Sequence, residues 1–126
     1  MPSSVKDMLA AANATVPRIQ ATDLRRLCTE ANVLIVDVRD APELTAGGKV
    51  KGAINVSRGM LEFRADSDSQ YHNPAFQRDK TVVLYCASGG RSALAGKVLQ
   101  DLGYKSVYNA GAFKDLVEAG METEAA

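Results

Sequence analysis

The residues of this 126-residue chain with the clearest capacity for chemistry lie in one segment, C-A-S-G-G-R-S, from Cys86 to Ser92. The cysteine ends an apolar run, and two glycines then allow the backbone to curl back so that several N–H groups point inward. A helix predicted to begin at about Arg91 or Ser92 turns its positive end toward the same hollow. These features predict an anion-binding loop with a sulfur atom at its floor.

Such a loop favours a thiolate at Cys86. Inward N–H groups and a helix N-terminus lower the pKa of a thiol below the ~8.5 of a free cysteine. Arg91 adds a fixed cation whose planar guanidinium suits an oxyanion. The Ser88 and Ser92 hydroxyls can donate hydrogen bonds to the sulfur or to a group bound to it. A lone cysteine after an apolar strand is usually a small buried hydrophobe. The combination of strand end, glycines, arginine and helix start favours the reactive interpretation here.

The second cysteine, Cys28, is predicted to be core filler. It lies at helical spacing on the apolar face of a predicted helix, between Leu24 and Ala31. No C-x-x-C spacing joins it to Cys86, which argues against a dithiol redox motif. Two cysteines are also too few for a disulfide framework or a zinc site of several thiolates.

Alternating strand and helix patterns position the loop. The runs Val33–Val38 and Thr81–Tyr85 are nearly continuous and apolar, as expected of strands buried on both faces. A helix over Ser92–Leu102 follows the second run, and Gly103 lies just beyond its end. The alternation predicts an α/β domain with a mostly parallel sheet, in which ligands bind outside the carboxyl ends of the strands.

Weaker patterns complete the organisation. Residues 1–17 are predicted as an N-terminal helical arm that Pro17 stops, and residues 18–126 as one domain. Further short strands are expected at 18–20, 53–56 and 106–108. Further helices are expected at 24–31 (capped by Thr22), 42–46, 57–65 and 113–119.

Polar residues at the end of the first strand share the predicted ligand-binding edge with Cys86. Asp37 and Arg39 are interpreted either as an ion pair that orients the Cys86 loop or as an ordinary surface pair. Glu43 is interpreted as a helix-face residue. The single imidazole, His72, lies in a polar loop and is predicted to be structural, and no spaced His/Glu cluster indicates a metal site.

Composition excludes several classes of protein. Fifteen basic and fifteen acidic residues give a formal net charge of +0, without the basic excess typical of nucleic-acid binders. No stretch approaches the ~20 apolar residues of a membrane span. The N-terminus lacks the apolar core of a signal peptide, so the expected compartment is the cytoplasm, where cysteines stay reduced.

Four motifs, in order, resemble those of rhodanese-type sulfurtransferases over about residues 18 to 120. The loop reads as C-x-x-G-x-R-S, and the segment from Asp37 to Glu43 resembles D-V-R-x-x-x-E. The segment Gly48–Asn55 is similar to G-H-I-x-G-A-x-N, and Val107–Gly111 resembles the closing V-Y-N turn of the family. The resemblance implies a three-layer fold with a five-stranded, mostly parallel sheet and helices on both faces.

The resemblance also implies transfer of a sulfane sulfur. Cys86 would take sulfur from thiosulfate or a persulfide and pass it to cyanide or a thiol. The backbone N–H groups of the loop would stabilise the persulfide anion, and Arg91 would steer the donor. The loop residues in question are Ala87, Ser88, Gly89, Gly90 and Arg91. Neither a metal nor an organic cofactor is implied, and the expected partners are a small sulfur donor and acceptor or a protein persulfide.

Departures from the family pattern leave alternatives open. Lys49 stands where the family often has His, and Ala110-Gly111 followed by Phe113 replaces a Gly-Gly turn with Trp nearby. Arg91 is the single cation of the loop, so a persulfide is as plausible a donor as thiosulfate. One alternative is a persulfide carrier or sensing module without efficient turnover. A cysteine-dependent phosphatase is less favoured, because only four residues separate Cys86 from Arg91 and phosphatases of related architecture use a longer loop.

Overall fold

The computed structural model describes residues 2–126. The helices are α1 (Val5–Thr15), α2 (Ala21–Glu30), α3 (Ala41–Gly47), α4 (Leu61–Ala65), α5 (Gly90–Asp101) and α6 (Phe113–Glu118). The strands are β1 (Val33–Asp37), β2 (Lys49–Val50), β3 (Ile54–Asn55), β4 (Thr81–Cys86), β5 (Ser106–Ala112) and β6 (Thr123–Glu124). A short 3₁₀ turn, Arg58–Met60, leads into α4.

Four parallel strands form the central sheet in the order β3-β1-β4-β5, which confirms the predicted α/β class. The fifth strand expected at 18–20 is reduced to one parallel bridge between Arg18 and Asn109. Two backbone hydrogen bonds flank it, from Ile19 N to Asn109 O at 3.1 Å and from Asn109 N to Pro17 O at 2.9 Å. Pro17 has no N–H to donate and α2 begins at Ala21, so no longer strand can form there.

Helices cover both faces of the sheet, as expected for a three-layer fold. Side chains alternate along each strand, so β4 sends Val82, Leu84 and Cys86 to one face and Val83 and Tyr85 to the other. The first face packs against residues of α4 and α5, and the second against residues of α2 and α6. The neighbours Cys86 and Tyr85 therefore belong to different layers.

The N-terminal helix α1 packs along α5. Ala12 and Val16 are fully or almost fully buried, and Gly96 of α5 gives them room, because a methyl group there would lie 2.8 Å from a Val16 side-chain carbon. The division of the chain at residue 17 stays a prediction. Among the residues described, no helix is long and apolar enough to cross a membrane.

Several element boundaries differ from the sequence-based expectation. Helix α2 begins at Ala21 with Gln20 as its N-cap, so Thr22 is not the cap. Helix α5 begins at Gly90, because Gly89 adopts a left-handed φ of 94° that lets the chain turn directly from the loop into the helix. The two-residue strands β2 and β6, which pair antiparallel, are too short to produce a periodic signal. Lys49 of β2 donates to Ala53 O and pairs with Glu124 of β6.

The prediction that Cys28 is core filler is wrong, because Cys28 is exposed. The buried residues of α2 are Ala21 and Leu24, both in its first half. Toward its end the helix borders a hollow beside Gly120 and Met121, so Leu27 is only half-buried and Cys28 is exposed. Helical spacing identified the correct face, but it could not show where the supporting layer ends.

Candidate active site

The loop after β4 surrounds the Cys86 sulfur with hydrogen-bond donors. The backbone N–H of Gly89 donates to Sγ at 3.0 Å, and the Ser92 hydroxyl lies 3.5 Å from it. Cys86 itself is fully buried, whereas Ala87 and Ser88 at the crest of the loop are exposed. The sulfur thus lies at the floor of the loop.

These contacts lower the pKa of the Cys86 thiol. Burial alone raises that pKa, because it disfavours the charged form. The nearby Ser92 hydroxyl and the backbone N–H groups of Ser92, Ser88 and Gly89 more than offset burial. Ser88 therefore contributes through its backbone, and its hydroxyl is not among the groups that lower this pKa.

Sequence reasoning missed the buried side chain that holds the loop together, Asn109 of β5. Its Oδ1 accepts from the Ser92 hydroxyl at 2.7 Å and from Gly111 N at 2.9 Å, and its Nδ2 donates to Gly89 O at 3.1 Å. A wholly buried amide that satisfies three partners fixes their mutual geometry. The sequence signal for Asn109 would have been a polar residue inside an otherwise apolar strand.

Arg91 does not stand free at the loop. Its guanidinium forms a two-pronged ion pair with Glu43 of α3, at 2.8 and 2.9 Å. Hydrogen bonds from Arg91 and from Asp40 N lower the pKa of Glu43 to about 2, and Glu43 in turn raises the pKa of Arg91. Glu43 does lie on a helix face, as expected, but this contact makes it a positioning residue for Arg91.

Asp37 and Arg39 form a buried ion pair, which excludes the surface interpretation. Arg39 Nη2 lies 2.7 Å from Asp37 Oδ2, and side-chain exposure is 6% for the arginine and 0% for the aspartate. The guanidinium also donates to Gly48 O and lies 4.3 Å from the centroid of the Phe113 ring. Burial and a hydrogen bond to Asp37 raise the pKa of Tyr85.

This pair lies in the Tyr85 layer, across the sheet from Cys86. Its side-chain partners among the described residues are Gly48, Tyr85 and Phe113, and none of them belongs to the loop 86–92. The Asp37–Arg39 pair is connected to the site through the backbone, because Val38 N donates to Tyr85 O at 3.0 Å. The pair therefore supports the strand that carries Cys86 rather than the loop directly.

The single histidine and the metal-ligating side chains remain to be placed. The His72 ring contacts Phe76 O at 3.2 Å, which fits a structural role. Within residues 2–126, no group of three or more His, Cys, Asp or Glu side chains could hold a metal ion.

The opposite environments of the two cysteines predict different pH profiles of alkylation. Hydrogen bonds lower the pKa of Cys86, whereas partial burial raises the pKa of Cys28. Since only the thiolate reacts, Cys86 should reach half-maximal alkylation by iodoacetamide at a lower pH than Cys28. Peptide mass mapping across a pH series separates the two sites.

The Ser92→Ala variant provides the control for that profile. It removes the hydroxyl that lies beside Sγ and the hydrogen bond that ties Asn109 to the loop, so the Cys86 midpoint should move to higher pH while the Cys28 midpoint stays fixed. Identical midpoints for Cys86 and Cys28 in the parent protein would contradict the assignment of the loop as the cause.

Removing the partner of Arg91 should destabilise the protein slightly and in a pH-dependent way. For Glu43→Gln we expect a loss of at most about 1 kcal/mol at pH 7, because both side chains are about a third exposed to solvent. The folded-state pKa of Glu43 is depressed to about 2 from 4.5, so its contribution is present above the unfolded value and disappears as the pH falls through this window. Urea unfolding of the parent and of Glu43→Gln at pH 7 and pH 3 measures the difference in free energy of unfolding between them. A difference that is larger at pH 3 than at pH 7 would contradict this assignment.

Comparison with known proteins agrees with this geometry. A family model described as Rhodanese-like domain matches residues 20–119. The chain therefore belongs to the rhodanese-like domain family, and it is a sulfurtransferase-like member. The resemblance drawn from the four motifs is confirmed at this level.

Curated relatives match part of the chain, and their names differ. The thiosulfate sulfurtransferase PspE of Escherichia coli (strain K12) is 33% identical over 64% of this chain and 71% of its own length. A sulfurtransferase of Allochromatium vinosum is 32% identical, over 68% of this chain and 71% of that protein. A tRNA uridine(34) hydroxylase of Prochlorococcus marinus (strain MIT 9215) is 28% identical over 72% of this chain, which covers only 30% of that longer protein.

A solved structure from Rhodopseudomonas palustris CGA009 superposes with a TM-score of 0.87 at 41% sequence identity. The alignment covers 98% of this chain and 99% of that one. That protein is described as having unknown function and as a possible tyrosine phosphatase.

Proposed function

We propose that this protein transfers a sulfane sulfur through a persulfide on Cys86. The observation that carries the proposal is the sulfur at the floor of the loop, where Gly89 N donates to Sγ at 3.0 Å and hydrogen bonds hold the thiol pKa below its ordinary value. The names of the two sulfurtransferase relatives support the same reaction class.

The proposed reaction has two displacement steps. With thiosulfate as donor, the Cys86 thiolate attacks the outer sulfur, the S–S bond of the donor breaks, and sulfite leaves with the bonding electron pair. Cyanide or a thiolate then attacks the outer sulfur of the persulfide, and the Cys86 thiolate leaves. The persulfide anion carries its negative charge on the outer sulfur, one bond away from Sγ, so the donors of the loop would also help to stabilise this species.

The size of the loop favours sulfur transfer over phosphoryl transfer. Cys86 is fully buried beneath a loop in which four residues precede Arg91, and the Arg91 fork is occupied by Glu43. A phosphoryl group would need a free guanidinium for its oxygens. A single sulfur atom needs less space and fewer donors.

The partners we propose are a small sulfur donor, thiosulfate or a low-molecular-weight persulfide, and a small thiol or cyanide as acceptor, with a protein persulfide as a further donor. A cytoplasmic location suits this chemistry, because a reducing compartment keeps the Cys86 thiol free.

Steady-state kinetics with thiosulfate and cyanide test the proposal. Two separate displacements predict parallel lines in double-reciprocal plots of thiocyanate formation, as for any ping-pong mechanism. A persulfide carrier or sensing module would take up sulfur once without turning over. Hydrolysis of an aryl phosphate, lost in Cys86→Ser, together with no thiocyanate formation would replace this function by the phosphatase reaction.

A further inference from the structure

The cationic side chains near the loop differ in whether their charge is already paired. Arg91 at the end of the loop is bound by Glu43, and Arg58 pairs with Glu62 at 2.8 Å. An anionic sulfur donor that approaches Cys86 therefore meets guanidinium groups that carboxylates largely neutralise. This raises the question of which cation recognises the donor.

Arg18 is an unpaired cation at this edge of the sheet. It lies on the segment that bridges to Asn109 of β5, and backbone hydrogen bonds on both sides of it fix that segment. Among residues 2–126, no carboxylate forms an ion pair or hydrogen bond with its guanidinium. The nearby Asp23 carboxylate pairs with Arg26 at 2.9 Å, and Glu30 borders the same hollow without pairing with Arg18.

Two glycines place the Arg18 guanidinium against the loop. A methyl group on Gly111 would lie 2.2 Å from Nη2, and one on Gly89 would lie 3.7 Å from Nη1. Gly89 is the residue whose N–H donates to the Cys86 sulfur, and Gly111 stands opposite Tyr85, one register position before Cys86. The guanidinium therefore lies over the backbone of the loop and its neighbouring strand, at the carboxyl end of the sheet.

We propose that Arg18 is the donor-recognition cation of this protein and that it favours anionic sulfur donors, such as thiosulfate, over uncharged ones. This inference rests on the proposed sulfur transfer at Cys86 and adds the charge class of the donor. Arg18 is a specificity-determining residue here and does not touch the reacting sulfur. Its exposed position allows it to meet an incoming anion without first breaking an internal ion pair.

A pair of alkylating reagents measures the charge preference without using the sulfur-transfer reaction. Iodoacetate and iodoacetamide share a leaving group and differ in charge, so the ratio of their rates at Cys86 reports the local potential. In a Cys28→Ser background, Arg18→Gln should lower the iodoacetate-to-iodoacetamide ratio about three- to fivefold, the size of one exposed charge interaction. Arg18→Lys should retain most of the ratio, and Lys105→Gln, which removes an exposed cation at the amino end of β5, should leave it unchanged.

Donor kinetics complete the test. Arg18→Gln should raise the KM for thiosulfate about three- to fivefold at low salt with little change in kcat, and this difference should shrink at ~1 M salt, where charges are screened. Unchanged reagent ratios and unchanged KM in Arg18→Gln would overturn the inference while leaving sulfur transfer intact. A parent protein that forms no persulfide would overturn the proposed function, and the reagent ratio would still decide whether Arg18 sets the charge preference.

Discussion

Cys86→Ser is expected to reduce thiocyanate formation from thiosulfate and cyanide at least about a thousandfold, to the uncatalysed background. A serine hydroxyl at this position stays protonated at neutral pH and cannot form a persulfide. The fold should survive, because the smaller oxygen can still accept from Gly89 N and the change in the free energy of unfolding should stay below about 1 kcal/mol. Initial rates and urea unfolding of the same preparation measure both effects.

The matched control is Cys28→Ser, which alters the other free thiol. Cys28 is exposed and lies outside the loop 86–92, so this variant should keep the parent rate. Equal losses in the two variants would show that the assay reports a general thiol reaction, and a fully active Cys86→Ser variant would remove the proposed nucleophile.

Asp37→Ala is expected to lower the free energy of unfolding by about 3–5 kcal/mol. The variant leaves the Arg39 guanidinium buried without its carboxylate, and it also removes the acceptor of Arg39 N at 3.0 Å. Because domains of this size have a total stability of only about 5–15 kcal/mol, the variant should be close to unfolding. Chemical denaturation monitored by circular dichroism gives the value.

The exposed ion pair between Asp23 and Arg26 supplies the control, since its side chains are 51% and 68% exposed. Asp23→Ala should cost less than about 1 kcal/mol. The double variant Asp37→Leu, Arg39→Met should recover much of the stability lost in Asp37→Ala, because it leaves no charge unpaired in the layer. Equal costs for Asp37→Ala and Asp23→Ala would contradict the assignment of the first pair as a buried support.

The fold could be predicted where hydrophobic periodicity was strong. The runs that became β1 and β4 are apolar on both faces, and α5 carries a continuous apolar stripe, so the α/β class and the parallel sheet followed from the sequence. The two-residue strands β2 and β6 carry no such signal. The burial of Cys28 was predicted wrongly because helical spacing gives a direction but not the extent of the layer that the helix meets.

The part of the site that could be predicted is the short segment from Cys86 to Ser92, which carries the nucleophile and the loop around it. The strand end, glycines and helix start around Cys86 are contiguous, so local rules described them together. The partners of the loop are distant in sequence: Glu43 binds Arg91 across 48 positions, and Asn109 bonds to Ser92 across 17. Such pairings depend on how strands and helices are brought together, which a single sequence does not specify.

The most direct measurement is the intact mass of the protein after brief exposure to thiosulfate and gel filtration, followed by peptide mapping under non-reducing conditions. A persulfide on Cys86 predicts a gain of about 32 Da, one sulfur atom, on the peptide that contains Cys86 and none on the peptide that contains Cys28. Addition of cyanide should remove the added mass and release an equal amount of thiocyanate. A parent protein with no added mass after exposure to thiosulfate or a small persulfide, or with the added mass on Cys28, would contradict the account.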